Sequence, residues 1–172
     1  MAGTATDAPE ERGKRAAVAR EGWVVFLTDG SMLPSMDTAE KILREFSKIA
    51  VVGASRDPQK EAHAIPAALL RAGFEVTPVN PYAKEVFGKK CYSTLGDVPA
   101  PLQIVLVFRP SADATAVVKD ALAHGAQAIW LQQGIVSKEG AAAAKAAGIL
   151  YVEDRCIGVV RSVHKITKQS AG

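Results

Sequence analysis

Between Gly53 and Lys60 the chain reads Gly-Ala-Ser-Arg-Asp-Pro-Gln-Lys, directly after the apolar run Ile49-Ala50-Val51-Val52. Gly53 lets the backbone turn tightly and come close to a ligand. Ser55 can donate to a phosphate oxygen, and Arg56 and Lys60 add cations. The helix expected beyond them offers free N–H groups and the positive end of its dipole. These residue types suit a phosphate or pyrophosphate, although a plain strand-to-helix turn with surface charges carries the same letters. One glycine stands where Gly-x-Gly-x-x-Gly would mark an NAD site, and no Gly-Lys-Ser/Thr follows as in a nucleoside triphosphate loop.

The next strand sharpens the choice. An NAD site places Asp or Glu there, about 20 residues past the glycine loop, to hold the ribose hydroxyls. Here the strand ends Pro78-Val79-Asn80-Pro81, with Lys84 soon after. A missing acid and an added cation fit a nucleotide with an extra phosphate on its ribose, as in coenzyme A or NADP. Asn80-Pro81 reads equally well as a turn. Farther on, Phe108-Arg109-Pro110-Ser111 follows the strongest apolar run, Ile104–Phe108. Phe108 can flank an adenine or a pantetheine arm, and Arg109 can reach a phosphate. Gln132-Gln133-Gly134 is a polar, flexible stretch suited to amide contacts.

Catalytic groups are sparse. His63, His124 and His164 have no metal-ligand spacing, and no Gly-x-Ser-x-Gly nucleophile elbow is present. Cys156 follows the last strand at the ligand edge and can meet a thiol or thioester, although a cysteine there more often serves as a small buried hydrophobe. Cys91 has no base beside it in sequence. Two cysteines make neither a disulfide framework nor a full zinc site and fit a reducing cytosol.

The elements that must position these residues alternate. Ile49–Val52 is a strand. Ala62–Ala72 is a helix that starts near His63, so that Pro66 falls in its first turn. Glu75–Val79, Ile104–Phe108, Ala128–Leu131 and Leu150–Glu153 are further strands. Helices fill Ser111–Ala123, capped by Ser111, and Ser137–Ala147. A short piece around Lys89–Tyr92 and a turn at Leu95–Pro101 form a connector, and the segment from Cys156 reads as a basic tail carrying Arg161, Lys165 and Lys168. Ahead of these, Asp37 or Thr38 caps a helix carrying Ile42, Leu43 and Phe46. The pattern predicts an α/β fold: a three-layer, Rossmann-like, doubly wound parallel sheet of five main strands. In such a sheet every candidate loop, including Asp154–Gly158, leaves the same edge, where ligands bind. Residues 1–36 read as an N-terminal extension, and 37–172 as the domain. Within the extension, Met1–Glu11 reads as disordered and Trp23–Leu27 as a short edge strand. Its acids argue against a transit peptide, and Met32 or Met36 would serve as a start.

Composition agrees. The 172 residues are 48% apolar and 23% charged, ordinary for a globular domain. No apolar run reaches the roughly 18 residues a membrane span needs. The net charge of +3 and 6% aromatic content argue against nucleic acid as partner. A homodimer or protein partner is left open.

Five segments in register carry a family resemblance: Ile49–Ser55, Pro78–Pro81, Val107–Pro110, Trp130–Gly134 and Asp154–Cys156. The chain, over about 37–165, resembles the small stand-alone coenzyme A-binding domain proteins, relatives of the N-terminal domain of the succinyl-CoA synthetase α subunit. The resemblance implies that Ser55, Arg56, Asp57 and Pro58 line the coenzyme's phosphates. It places Lys84 beside a charged group of the nucleotide. It sets Phe108, Arg109 and Pro110 along the ligand, with Gln133 and Gly134 near it. The synthetase's second domain, with its phosphorylated histidine, has no counterpart here, so ligase activity does not carry over.

The expectation is a cytoplasmic, non-catalytic binding module for coenzyme A or an acyl-CoA. Its candidate ligand residues are Gly53, Ala54, Ser55, Arg56, Asp57, Pro58, Lys60, Asn80, Pro81, Lys84, Phe108, Arg109, Pro110, Gln133 and Gly134. The alternatives are a redox or acyl-transfer protein acting through Cys156, and an NADP-binding sensor.

Overall fold

A computed structural model describes residues 36–169 in full, and residues 25–26 and 32–33 by their backbone. The chain divides into two units at residues 35 and 36. In the first, β1 (Val25–Phe26) pairs antiparallel with β2 (Met32–Leu33). The expectation of disorder over Met1–Glu11 lies outside the described residues.

The second unit opens with α1 (Thr38–Glu45), whose N-cap is Asp37. Its alternating strands and helices then follow as β3 (Lys48–Val52), α2 (Glu61–Arg71), β4 (Glu75–Val79), β5 (Glu85–Val86), β6 (Lys89–Lys90), β7 (Ile104–Val107), α3 (Ser111–Ala123), β8 (Ala128–Leu131), α4 (Lys138–Ala147), β9 (Leu150–Val152) and α5 (Ile157–Val163). Five strands form one sheet in the order β4-β3-β7-β8-β9, and every pairing is parallel. Parallel strands need crossovers, and the crossover helices cover both faces. That is why β7 and β8 are buried at every residue. Leu69 of α2 and Ile157 of α5 pack on one face with Ile49, Ile104 and Trp130. Val118 and Ala121 of α3 pack on the other with Val105 and Ile129. Because α2 and α3 take opposite faces, the topological switch falls between β3 and β7, where a ligand crevice is expected.

Three local expectations change. The second helix begins at Glu61, not near His63, so Pro66 sits inside it. Ser111 does not cap α3. Pro110 holds that position, while Ser111 Oγ accepts the Val136 N–H at 3.1 Å. The segment after Cys156, read as a basic tail, forms α5 and buries Ile157 and Val160. The long connector also contains the β5–β6 hairpin and a 3₁₀ turn at Leu95–Asp97.

Candidate functional site

The loop after β3 is wired from within. Gly53 adopts φ +86°, and a Cβ there would stand 3.2 Å from Arg109 Cδ and 3.4 Å from the Phe108 backbone. Only glycine meets both demands without strain. The Gly53 N–H donates to the Val79 carbonyl (3.0 Å), and the Ser55 N–H to the Ala62 carbonyl (3.1 Å). The second bond explains Pro66. Proline has no N–H, so it leaves the carbonyl four residues back, that of Ala62, free of its helical partner. Ser55 takes it up.

Downstream, the Asp57 N–H donates to Ser55 Oγ (3.1 Å), and the Gln59 N–H to Asp57 Oδ1 (3.0 Å). His63 Nδ1 lies 2.7 Å from the Ser55 carbonyl. A carbonyl only accepts, so Nδ1 carries the proton. The ring also rests on Phe87, with centroids 4.8 Å apart. With these groups occupied, the N–H groups of Ala54, Arg56, Glu61 and Ala62 have no partner among the described residues. They are the donors left for an anion at this helix start.

Asn80 holds the neighbouring loop to this one. Its Nδ2 donates to the Ala54 carbonyl at 2.9 Å, and its Oδ1 accepts the Tyr82 N–H at 2.9 Å. Asn80 therefore builds the turn and also clamps the loop across the strand gap.

An open cleft of about 480 Å³ results, lined by Gly53, Ala54, Ser55, Arg56, Asp57, Lys60, Ala62, Asn80, Tyr82, Ala83 and Phe108. Neither Arg56 nor Lys60 has a carboxylate partner among the described residues. A second recess of about 200 Å³ shares Gly53 and Asn80 with the cleft and opens against α3. Val52, Val79, Leu95 and Val117 give it apolar walls, and Pro81, Ser93, Thr94, Arg109 and Asp120 complete it. Arg109 is not free: its Nη2 lies 3.6 Å from Asp113 Oδ2.

Five candidates line neither space. Pro58 and Lys84 are exposed beside the cleft, and Pro110 begins α3. Gln133 is exposed, and Gly134 gives its N–H to Asp154 Oδ1 at 2.7 Å. The buried amide of that loop is Gln132, 2% exposed. Strand alternation continued one residue past Leu131 points it inward with Trp130. Tyr82, 83% exposed, lines the cleft wall and was not among the candidates the sequence suggested. Its signal was an aromatic directly after the Asn-Pro turn.

Cys91 and Cys156 are both free thiols. Burial pushes the Cys91 thiol above its ordinary pKa. Among the described residues no group of His, Cys, Asp and Glu is arranged to hold a metal, and no helix is long and apolar enough to cross a membrane.

A five-stranded parallel sheet flanked by helices, with an open loop at its switch point, defines a Rossmann-like α/β domain. The chain belongs to the CoA-binding domain family, whose profile matches residues 47–162. This bears out the resemblance read from the five segments and points to coenzyme A as ligand. Among relatives, YneT of Bacillus subtilis, an uncharacterised protein, is 37% identical over 77% of this chain and 98% of its own. The crystal structure of Prb, the PH1109 protein redesigned for binding, superposes with a TM-score of 0.73 at 34% identity, over 78% of this chain and 96% of that one. A dinucleotide-forming acetyl-coenzyme A synthetase 1 of Ca. Korarchaeum cryptofilum, solved with phosphate and ADP, matches at 31% identity and TM-score 0.55. That match takes in 63% of this chain but 26% of the synthetase.

Proposed function

We propose that the protein is a non-catalytic module that binds coenzyme A or an acyl-CoA at the carboxyl edge of its sheet. The observation that carries this reading is the combination in one cleft of two cations, Arg56 and Lys60, without carboxylate partners and three N–H groups, those of Ala54, Arg56 and Ala62, without partners among the described residues. Phosphate groups lie against Ala54–Ala62, held by Arg56, Lys60 and the hydroxyl proton of Ser55. The adenine enters the apolar recess of Val52, Val79, Leu95 and Val117. Its flat ring suits those walls, and Asp120 at the rim can accept from its amino group. Lys84, exposed beside the Asn80 turn, serves the ribose phosphate. Gly53 presents bare backbone between the two spaces, so a linear nucleotide can cross there.

The family argues for this ligand over NADP. The protein works in the cytoplasm on this reading. Isothermal titration tests it: coenzyme A binds with one site per chain, dephospho-coenzyme A binds more weakly, and NAD gives no comparable heat. Tight NADPH binding without coenzyme A binding selects the sensor alternative, and silence at millimolar coenzyme A rejects the module.

A further inference from the structure

One strand over from the Phe108 end of the cleft, a buried amide stands beside the residues that open α5. The Gln132 N–H donates to the Val107 carbonyl at 3.2 Å, next to Phe108. Gln132 Oε1 accepts the Ile157 N–H at 3.2 Å, so its carboxamide lies against the Cys156–Ile157 peptide. Its Nε2 is buried and has no partner among the described residues. Buried amide donors are almost always satisfied, which points to an acceptor from outside the chain. Cys156 is half-buried and free and stands just before α5, which packs against α2. A Cβ built on Gly158 would stand 3.5 Å from Ile65 Cγ2 and 3.8 Å from Cys156 Sγ. Ile65 is one helical turn beyond Ala62, which lines the cleft.

Taking the coenzyme A reading as its basis, we propose that the coenzyme's thiol arm runs from the phosphates past Phe108 to Cys156. Gln132 Nε2 donates to an amide carbonyl of that arm, and Cys156 exchanges with coenzyme A disulfide to form a mixed disulfide. The Cys156 thiolate attacks one sulfur of the disulfide. The S–S bond of the reagent breaks as the protein–coenzyme S–S bond forms. The second coenzyme leaves as a thiolate and takes up the proton that Cys156 released. Cysteine is oxidised, the departing sulfur is reduced, and coenzyme A disulfide is the oxidant. Cys91 provides an internal control, because it is buried with its S–H directed at the Asn80 carbonyl (3.6 Å).

The test is intact mass spectrometry of the full chain without reductant, after incubation with coenzyme A disulfide or, separately, glutathione disulfide at equal concentration. The expected product gains one coenzyme A less two hydrogens and reverts with dithiothreitol. It forms with Cys91→Ser but not with Cys156→Ser, and at least tenfold faster than the glutathione adduct. Gln132→Leu slows the coenzyme reaction and leaves the glutathione reaction unchanged. No adduct, an adduct on Cys91, or equal rates for the two reagents overturns the proposal. Titration of reduced wild-type protein with coenzyme A separates the two readings. Binding without adduct removes only this inference, whereas absence of binding removes the module reading with it.

Discussion

Asn80 Nδ2 donates to the Ala54 carbonyl at 2.9 Å across the gap between the first two strand ends. One side chain thus links the turn after β4 to the loop that carries the free N–H groups. Asn80→Ala removes that donor and also the acceptor for Tyr82 N–H. A lost hydrogen bond with a partly buried partner costs about 1–3 kcal/mol. We expect a stability loss of that order in urea unfolding, together with weaker coenzyme A binding by calorimetry. Asn80→Asp keeps the acceptor but sets a negative charge beside the proposed phosphates, so its affinity falls further than that of the alanine variant.

Arg56 lines the cleft, whereas Lys84 stands exposed beside it. If they serve different phosphates, their losses differ in kind. Arg56→Ala should weaken coenzyme A and dephospho-coenzyme A alike, by about 1–3 kcal/mol for a charge-assisted contact. Lys84→Ala should weaken coenzyme A but leave dephospho-coenzyme A unchanged, because the partner phosphate is already gone. A cycle of two proteins and two ligands measures this, and additive losses for Lys84 would move that lysine away from the ribose phosphate.

Gly53 has both a positive φ and a neighbour 3.2 Å from where its Cβ would be. Gly53→Ala is expected to cost about 1–3 kcal/mol in backbone strain. It also pushes Arg109 and narrows the crossing between cleft and recess. Thermal unfolding should show the first effect and coenzyme A titration the second. A variant with wild-type affinity would place the ligand elsewhere on the edge.

The sheet was legible because its strands are short apolar runs closed by Gly, Asn or Arg-Pro, as at Val52-Gly53 and Val79-Asn80. The loop after β3 was legible as a candidate anion site for the same reason: its Ser, Arg and Lys follow such a run. Pro66 was misjudged because proline was assigned to a first turn on local grounds. Its place in the second turn makes sense only once Ser55 is seen bonding to Ala62, a tertiary contact. α5 was missed because the charges of Arg161 and Lys165 hid Ile157 and Val160, whose burial depends on α1 and α2. Gln133 came from the family resemblance, whereas Gln132 read as one residue of a polar loop, and its burial follows only when strand alternation is carried one residue past Leu131.

The Pro66 relationship is itself testable. Pro66→Ala restores an N–H that can bond to the Ala62 carbonyl, in competition with Ser55. The helix gains a bond and the loop loses one. Amide hydrogen exchange should show faster exchange at Ser55 and new protection at residue 66. Coenzyme A affinity should drop while the unfolding midpoint falls little, since alanine favours the helix. Unchanged exchange at Ser55 would detach the proline from the loop.

Tyr151 supplies a pH dependence away from the cleft. Its hydroxyl donates to Glu153 Oε2 at 2.8 Å, and burial, followed by the hydrogen bond to Glu153 and its negative charge, raises the phenol pKa. The folded state therefore favours the protonated phenol. A raised folded pKa gives stability that is complete below the unfolded value, about 10, and is lost as pH rises beyond it toward the folded value. Unfolding measured in urea from neutral pH to about pH 11 should show stability falling above about pH 10. Tyr151→Phe cannot ionise, so it should flatten that part of the slope while lowering stability at neutral pH through loss of the bond to Glu153. Buried Cys91, whose thiol is also raised, adds its own decline at lower pH than the tyrosine. Cys91→Ala in the same background separates the two, and a slope that Tyr151→Phe leaves intact would assign the alkaline loss to other groups.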